Sequence, residues 1–196
     1  MKTETLLQQQ LEQLYPYLRE KDFLDLVGAA RVLKLKNREE IQYPGTTHPI
    51  LYFVISGAIR GYFQDELQEE KILFLSLPSC FGGNPHEVQD SNPSIMVFEA
   101  MGKTEVISFN PMLLRILALQ NGTISQFLTD VLININMTLA GRISLISTKR
   151  PETRVRKLSE KFPELMQIIP GKYVANFIGI TPNSLSRIKS RMRTVI

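Results

Sequence analysis

The sequence predicts an α+β protein: an antiparallel β-barrel of the jelly-roll kind, then one long helix, then a small helical unit built around a helix-turn-helix. Three observations carry this reading. Short runs rich in β-branched and aromatic residues, with Gly and Pro at their corners, fill the stretch from Arg31 to Phe109. An apolar seam at spacings of three and four then continues from Thr123 to Thr148. The chain closes on PGKYVANFIGITPNSLSRIKSR, two short amphipathic runs that meet at Gly179. The boundaries that follow are 1–120 for the barrel, 121–148 for the long helix and 149–196 for the terminal unit.

Taken in order, Leu6, Leu7, Leu11 and Leu14 recur at helical spacing before Pro16, and Phe23, Leu26 and Val27 mark a second short helix. The period then changes to two. Val32, Leu33 and Leu35 alternate loosely with Lys34 and Lys36, and Ile41 and Tyr43 lead into the turn pair Pro44-Gly45. LYFVISGAIRGYF, Leu51 to Phe63, is the strongest β signal, and Ser56-Gly57 divides it as a hairpin turn would. A polar turn at Asp65 to Glu70 precedes a strand from Ile72 to Leu77, and further strands are expected at Ile95 to Ala100 and Thr104 to Phe109. Cys80, the only cysteine, is read as a small buried hydrophobe.

Helical periodicity returns after Asn110-Pro111, where Pro111 opens a helix that Asn121-Gly122 ends. In the long helix that follows, Ile124, Leu128, Val131, Ile135, Leu139, Ile143 and Ile146 form a narrow seam. Phe127, Leu132, Ile133, Met137 and Leu145 widen the apolar surface to a second side. A helix apolar on two sides needs two partners. One side is expected to cover the barrel, and the seam is expected to meet the same helix of a second subunit, giving a homodimer. Thr148 to Pro151 reads as a hinge, and Val155, Leu158 and Phe162 begin the terminal unit.

Within that unit Val174 and Ile178 give the first run one apolar face, and Leu185, Ile188 and Met192 give the second run another. Gly179 can take positive φ and end the first helix, Thr181 is a natural N-cap, and Pro182 suits the first helical position. The second run is then a recognition helix. Its remaining surface supplies the expected DNA contacts: Thr181, Asn183, Ser184 and Ser186, followed by Arg187, Lys189, Ser190 and Arg191. Arg pairs with guanine O6 and N7, Asn with adenine, and Ser or Lys with phosphates, so Arg187 and Asn183 are the expected base readers.

Charge supports this assignment. From Arg142 to Ile196 there are twelve Lys or Arg against three Glu, whereas residues 1–141 hold eleven against sixteen acids, so the overall +4 conceals a basic end on an acidic body. A signal peptide or a membrane-spanning run is not evident, and a cytoplasmic protein is expected. With one Cys and two His, His48 and His86, each read as a loop residue, neither a cysteine metal site nor a cupin-type metalloenzyme is expected. No metal, cofactor or catalytic constellation is expected, and the protein is not read as an enzyme. The alternative readings are a small-ligand-binding barrel acting through protein partners and a cupin-like metalloenzyme.

In this order of parts the chain resembles the Crp/Fnr family of bacterial transcription regulators. The likeness covers nearly the whole length and is carried most specifically by LYFVISGAIRGYF and by KYVANFIGITPNSLSRIKSRM, with Ala175, Gly179, Leu185 and Ile188 in the structural positions. The resemblance implies a cyclic-nucleotide-binding-like sensor barrel, a homodimer along the long helix, a near-palindromic double-stranded operator, and RNA polymerase as a candidate partner. It also implies a ligand pocket at Phe81, Gly82, Gly83, Asn84, Ser94 and Ile95. There Asn84 stands where the family's ribose-binding Glu would be, and Ser94-Ile95 where its phosphate-binding Arg and Ser would be. Losing that guanidinium removes the charge-assisted contact to phosphate, so cyclic AMP binding in the family manner is not expected. An unidentified small effector, or none, is expected instead. Pro182 and Asn183 stand where better-known members carry Arg and Glu, while Arg187 matches their second Arg, so their operator does not carry over. The sequence ends close after the recognition helix, which implies a truncated wing.

Overall fold

The computed structural model describes residues 2–47, 50–84 and 93–193; both histidines lie outside them. Helices α1 (Lys2–Leu11) and α2 (Glu20–Gly28) open the chain, and Leu7, Leu11, Phe23 and Leu26 bury their apolar stripes against the barrel. Eight strands follow: β1 (Ala30–Leu35), β2 (Glu40–Gln42), β3 (Leu51–Ser56), β4 (Ile59–Gln64), β5 (Glu70–Ser76), β6 (Phe81–Gly83), β7 (Val97–Ala100) and β8 (Thr104–Phe109). They form two antiparallel four-stranded sheets, ordered β1-β8-β3-β6 and β2-β7-β4-β5. Between the sheets sit Tyr52, Phe74 and Phe98, the last with ring centroids 5.5 and 5.8 Å from Tyr52 and Phe74. Cys80 is exposed in the turn after β5, not buried as the sequence suggested, because its backbone there bonds to Leu77 and Val54 and leaves the side chain at the surface.

LYFVISGAIRGYF is not a hairpin. β3 pairs with β6 and β8, whereas β4 pairs with β5 and β7 in the other sheet. Ser56-Gly57 is therefore a corner at which the chain leaves one sheet for the other. Gly57 has φ +79°, and a Cβ there would overlap Thr104 and the Lys103 carbonyl. The buried Thr104 hydroxyl lies 3.3 Å from the Ala58 N–H and donates to the Ala58 carbonyl at 3.2 Å. It thus ties this corner to another crossing between the sheets, that from β7 to β8. Alternation in a strand says which side chains share a face, not which strand lies alongside. The hairpin the molecule does form is β4–β5, where the Asp65 carboxylate accepts from the Leu67 and Glu69 amides.

Helix α3 (Pro111–Gln120) starts at an Asn110 cap with Pro111 in its first turn. Asn121 ends α3 and caps α4 (Gly122–Ile146) through the Thr123 amide, while its Nδ2 donates to Asp22 Oδ1 at 2.8 Å. Ile124, Phe127, Val131 and Ile135 of α4 are buried in the barrel's own core. The Phe127 ring lies 4.9 Å from Tyr15, 5.8 Å from Phe81 and 6.5 Å from Phe109. The terminal unit comprises α5 (Pro151–Lys161), α6 (Pro163–Ile168), α7 (Gly171–Phe177) and α8 (Pro182–Arg193). Its core is continuous with the outer face of the β2-β7-β4-β5 sheet, through Ala58, Tyr62, Ile72, Leu75 and Val97.

Truncating Phe127 to Ala removes the ring that joins α4 to the barrel. Unfolding free energy, read by urea denaturation, is expected to fall by about 3–5 kcal/mol.

Candidate nucleic-acid interface

The helix-turn-helix is built from a small apolar core. Val155, Leu158, Leu165, Val174, Ala175, Ile178, Leu185 and Ile188 are all buried. At the end of α7 the Gly179 N–H donates to Asn176 O at 3.0 Å and the Ile180 N–H to Ala175 O at 2.9 Å, with Gly179 at φ +67°. These are the two bonds of a Schellman ending, and they turn the chain sharply into α8. Thr181 then caps α8: its Oγ1 accepts from the Ser184 N–H at 3.1 Å, and the Ser184 hydroxyl lies 2.9 Å from it.

The expected contact residues divide into two groups. Asn183, Ser186, Arg187 and Ser190 are exposed, and their spacing places them on one stripe opposite Leu185 and Ile188. Thr181 and Ser184 are occupied in the cap. The Lys189 ammonium lies 3.4 Å from Met166 O on α6, and Arg191 lies 3.4 Å from Glu152 on α5, an exposed and therefore weak ion pair. Met192, read as part of the apolar face, is 38% exposed because the core closes at Ile188. Lys149, Arg150, Arg156, Lys157 and Lys172 are exposed in the same unit.

One residue of this unit escaped the sequence reading. Arg154 on α5 donates from Nε to Thr148 O at 2.6 Å and from Nη1 to the Ile178 and Gly179 carbonyls at 3.1 Å each. It joins the hinge to the turn of the helix-turn-helix and takes up carbonyls that the end of α7 leaves unpaired. An Arg in a polar helix carries no sequence mark that separates this task from solvation.

The expected dimer seam is only partly available. Ile124, Leu128, Val131 and Ile135 are 0 to 7% exposed against the barrel of their own chain, and Leu139 packs beside them. Periodicity defines a stripe but not its partner, and the barrel covers the most continuous one. The apolar residues that α4 leaves uncovered are Ile133, Met137 and Ile143, at 50, 67 and 59% exposure. Ile143 is the one exposed member of the original seam, and Ile146 is half-buried.

No protein-family model matches the sequence, and no curated protein is found similar to it. Solved structures do match. FixK2 from Bradyrhizobium japonicum superposes with a TM-score of 0.70 at 20% identity, over 84% of this chain and 85% of its own. A protein from Eubacterium rectale described as a transcriptional regulator of the Crp/Fnr family gives 0.69 at 14% identity, over 92% of this chain and 86% of its own. DNR from Pseudomonas aeruginosa gives 0.54 at 20% identity, over 94% and 86%. The fold is that of the Crp/Fnr regulators.

In this instance of the Crp/Fnr fold, the expected ligand-pocket residues have differing surroundings. Gly82 and Gly83 lie on β6 beside β3, and a Cβ on Gly82 would overlap the Tyr52 ring. Tyr52 is wholly buried with its hydroxyl 3.1 Å from Ser76 Oγ, and that burial pushes its phenol pKa well up. Phe81 belongs to the aromatic cluster around Phe127. Ser94 is buried in a polar network, accepting from Gln42 Nε2 at 2.6 Å and from the Met96 amide at 2.9 Å. Asn84 is half-buried, and Ile95, in the segment before β7, points to solvent at 68% exposure while its neighbours Ser94 and Met96 are buried, which corrects its assignment to the pocket. Among the described residues no group of three or more His, Cys, Asp or Glu could hold a metal, and no helix is long and apolar enough to cross a membrane.

Gly179→Ala forces a side chain into left-handed backbone, with its Cβ 3.3 Å from Arg154 Nη1. A loss of about 1–2 kcal/mol, read in thermal melts of the full chain, is expected.

Proposed function

We propose that the chain is a sequence-specific, homodimeric DNA-binding transcription regulator of the Crp/Fnr type. The observation that carries this reading is the exposed stripe Asn183, Ser186, Arg187 and Ser190 on a helix whose opposite face is sealed by Leu185 and Ile188, in a unit rich in cations. The comparisons add that proteins of the same fold are transcriptional regulators. Arg187 and Asn183 read bases, and the surrounding Lys and Arg hold phosphates. In a dimer two such helices enter successive major grooves about 34–36 Å apart, which calls for a near-palindromic site.

Dimerisation runs along the uncovered side of α4, through Ile133, Met137 and Ile143. The barrel does not take cyclic AMP in the family manner. Asn84 and Ser94 lack the carboxylate and guanidinium that ribose and phosphate need, and the Tyr52 ring fills the space beside Gly82.

Duplexes selected from a random pool test the reading directly. Selection is expected to yield a near-palindrome, with affinity falling steeply as salt rises, and failure to enrich any sequence overturns the proposal. Arg187→Ala is expected to relax preference at one position of each half-site, by about 1–3 kcal/mol against the wrong base. Met137→Asp sets a charge in the uncovered α4 face, and sedimentation is expected to show a shift to monomer while the circular dichroism of the fold is kept. A wild-type chain that sediments as a monomer overturns the dimer.

A further inference from the structure

The outer face of the β2-β7-β4-β5 sheet carries a buried cation that no part of the DNA-reading scheme uses. Arg60 on β4 is 4% exposed. Its guanidinium donates to Glu99 on β7 at 3.1 and 3.0 Å and forks onto Glu70 on β5, the second arm at 3.1 Å. Burying a cation is costly unless it is well partnered, and the two carboxylates engage all three of its nitrogens but leave its flat surface to be covered. The Tyr62 ring covers it at 4.2 Å, and Tyr173 covers it at 4.5 Å. Tyr62 belongs to the barrel. Tyr173 belongs to α7, the helix that backs the recognition helix.

Beside this stack, Asn176 of α7 treats the edge of β5 as a neighbouring strand would. Its Oδ1 accepts from the Ile72 amide at 2.9 Å, and its Nδ2 donates to the Glu70 carbonyl at 2.6 Å. Apolar packing between Val174, Phe177, Ile178 and the sheet residues Ile72 and Leu75 completes the contact. Through all of this the stripe Asn183, Ser186, Arg187 and Ser190 stays exposed, so docking leaves the reading surface open.

We propose that Tyr173 and Asn176 are positioning residues: they hold the helix-turn-helix on the barrel in one orientation and so set the separation of the two recognition helices in a dimer before DNA is met. The consequence for DNA rests on the DNA-binding reading given above; the docking itself does not. A reader held in its binding geometry loses less freedom on association, and a reader swinging on the Thr148–Pro151 hinge loses more.

The test uses the full chain with Asn176→Ala and Tyr173→Ala, and Tyr173→Phe as the variant that keeps the ring over Arg60. Hydrogen exchange at the Ile72 amide is expected to speed up about tenfold or more in Asn176→Ala, the scale of two lost side-chain to backbone bonds, and cleavage at the hinge is expected to quicken in both alanine variants. Binding is then measured on duplexes whose half-sites are moved apart or together by one and two base pairs. The wild type and Tyr173→Phe are expected to prefer one spacing; the alanine variants are expected to lose about tenfold at that spacing and little at the others, flattening the profile. Equal losses at every spacing would mark a merely structural role, and unchanged or tighter binding would exclude positioning; each overturns the proposal. If the wild type binds no duplex, the DNA-binding reading fails alone, and unaltered exchange and cleavage in both alanine variants remain the result that overturns the docking.

Discussion

The ring of Phe127 is the joint on which the architecture turns. Set among Tyr15, Phe81 and Phe109, it anchors the first turns of α4 on the barrel and so sets the direction of a helix that advances 1.5 Å per residue along a nearly straight axis. A small error in that direction would grow along the rest of α4, to Ile146, before the chain reaches the hinge. The helix-turn-helix is therefore held from two directions. Its covalent attachment comes through α4, stapled by Arg154 across the hinge, and its lateral attachment is the contact of α7 with the β2-β7-β4-β5 sheet. Two anchors on different faces define an orientation, which a single flexible linker does not.

What could be read in the residues, and what could not, divides along a physical line. Features fixed by a few neighbouring residues were legible. The Thr181 cap, the left-handed Gly179, the Asn110-Pro111 start and the β8 limits are all as the local chemistry of the chain predicts. The exposed stripe of α8 followed from its period alone. Features fixed by partners distant in sequence were not legible. The run around Ser56-Gly57 has the composition of a hairpin, yet its two strands lie in different sheets, because pairing is decided by packing across the whole barrel. In the same way α4 offers more than one apolar stripe, and only the barrel determines which of them is covered. Arg154 and Arg60 illustrate the remaining gap: an arginine on the page looks solvated, and only its surroundings show that it is not.

The barrel interior joins two independent lines of reasoning. On the proposed reading, Asn84 and Ser94 lack the carboxylate and guanidinium that would hold a ribose and a phosphate. Packing at Tyr52 and Gly82 occupies the neighbouring volume with an aromatic ring, and Gln42 engages the Ser94 hydroxyl. On that reading, either feature alone would weaken a nucleotide site. The outer sheet bears the contact with the helix-turn-helix, and the inner faces hold the barrel's own core.

The manner in which α7 meets β5 bears on solubility as well. At seven residues β5 is the longest strand of its sheet and stands at its edge, with backbone donors and acceptors that another polypeptide could extend. Asn176 occupies one donor and one acceptor there, and the body of α7 shields the neighbouring stretch. Undocking would uncover a ladder of unpaired amides flanked by Ile72 and Leu75, a template for intermolecular strand addition and fibrous aggregates. The packing that orients the terminal unit thus also guards the barrel against association through its own backbone.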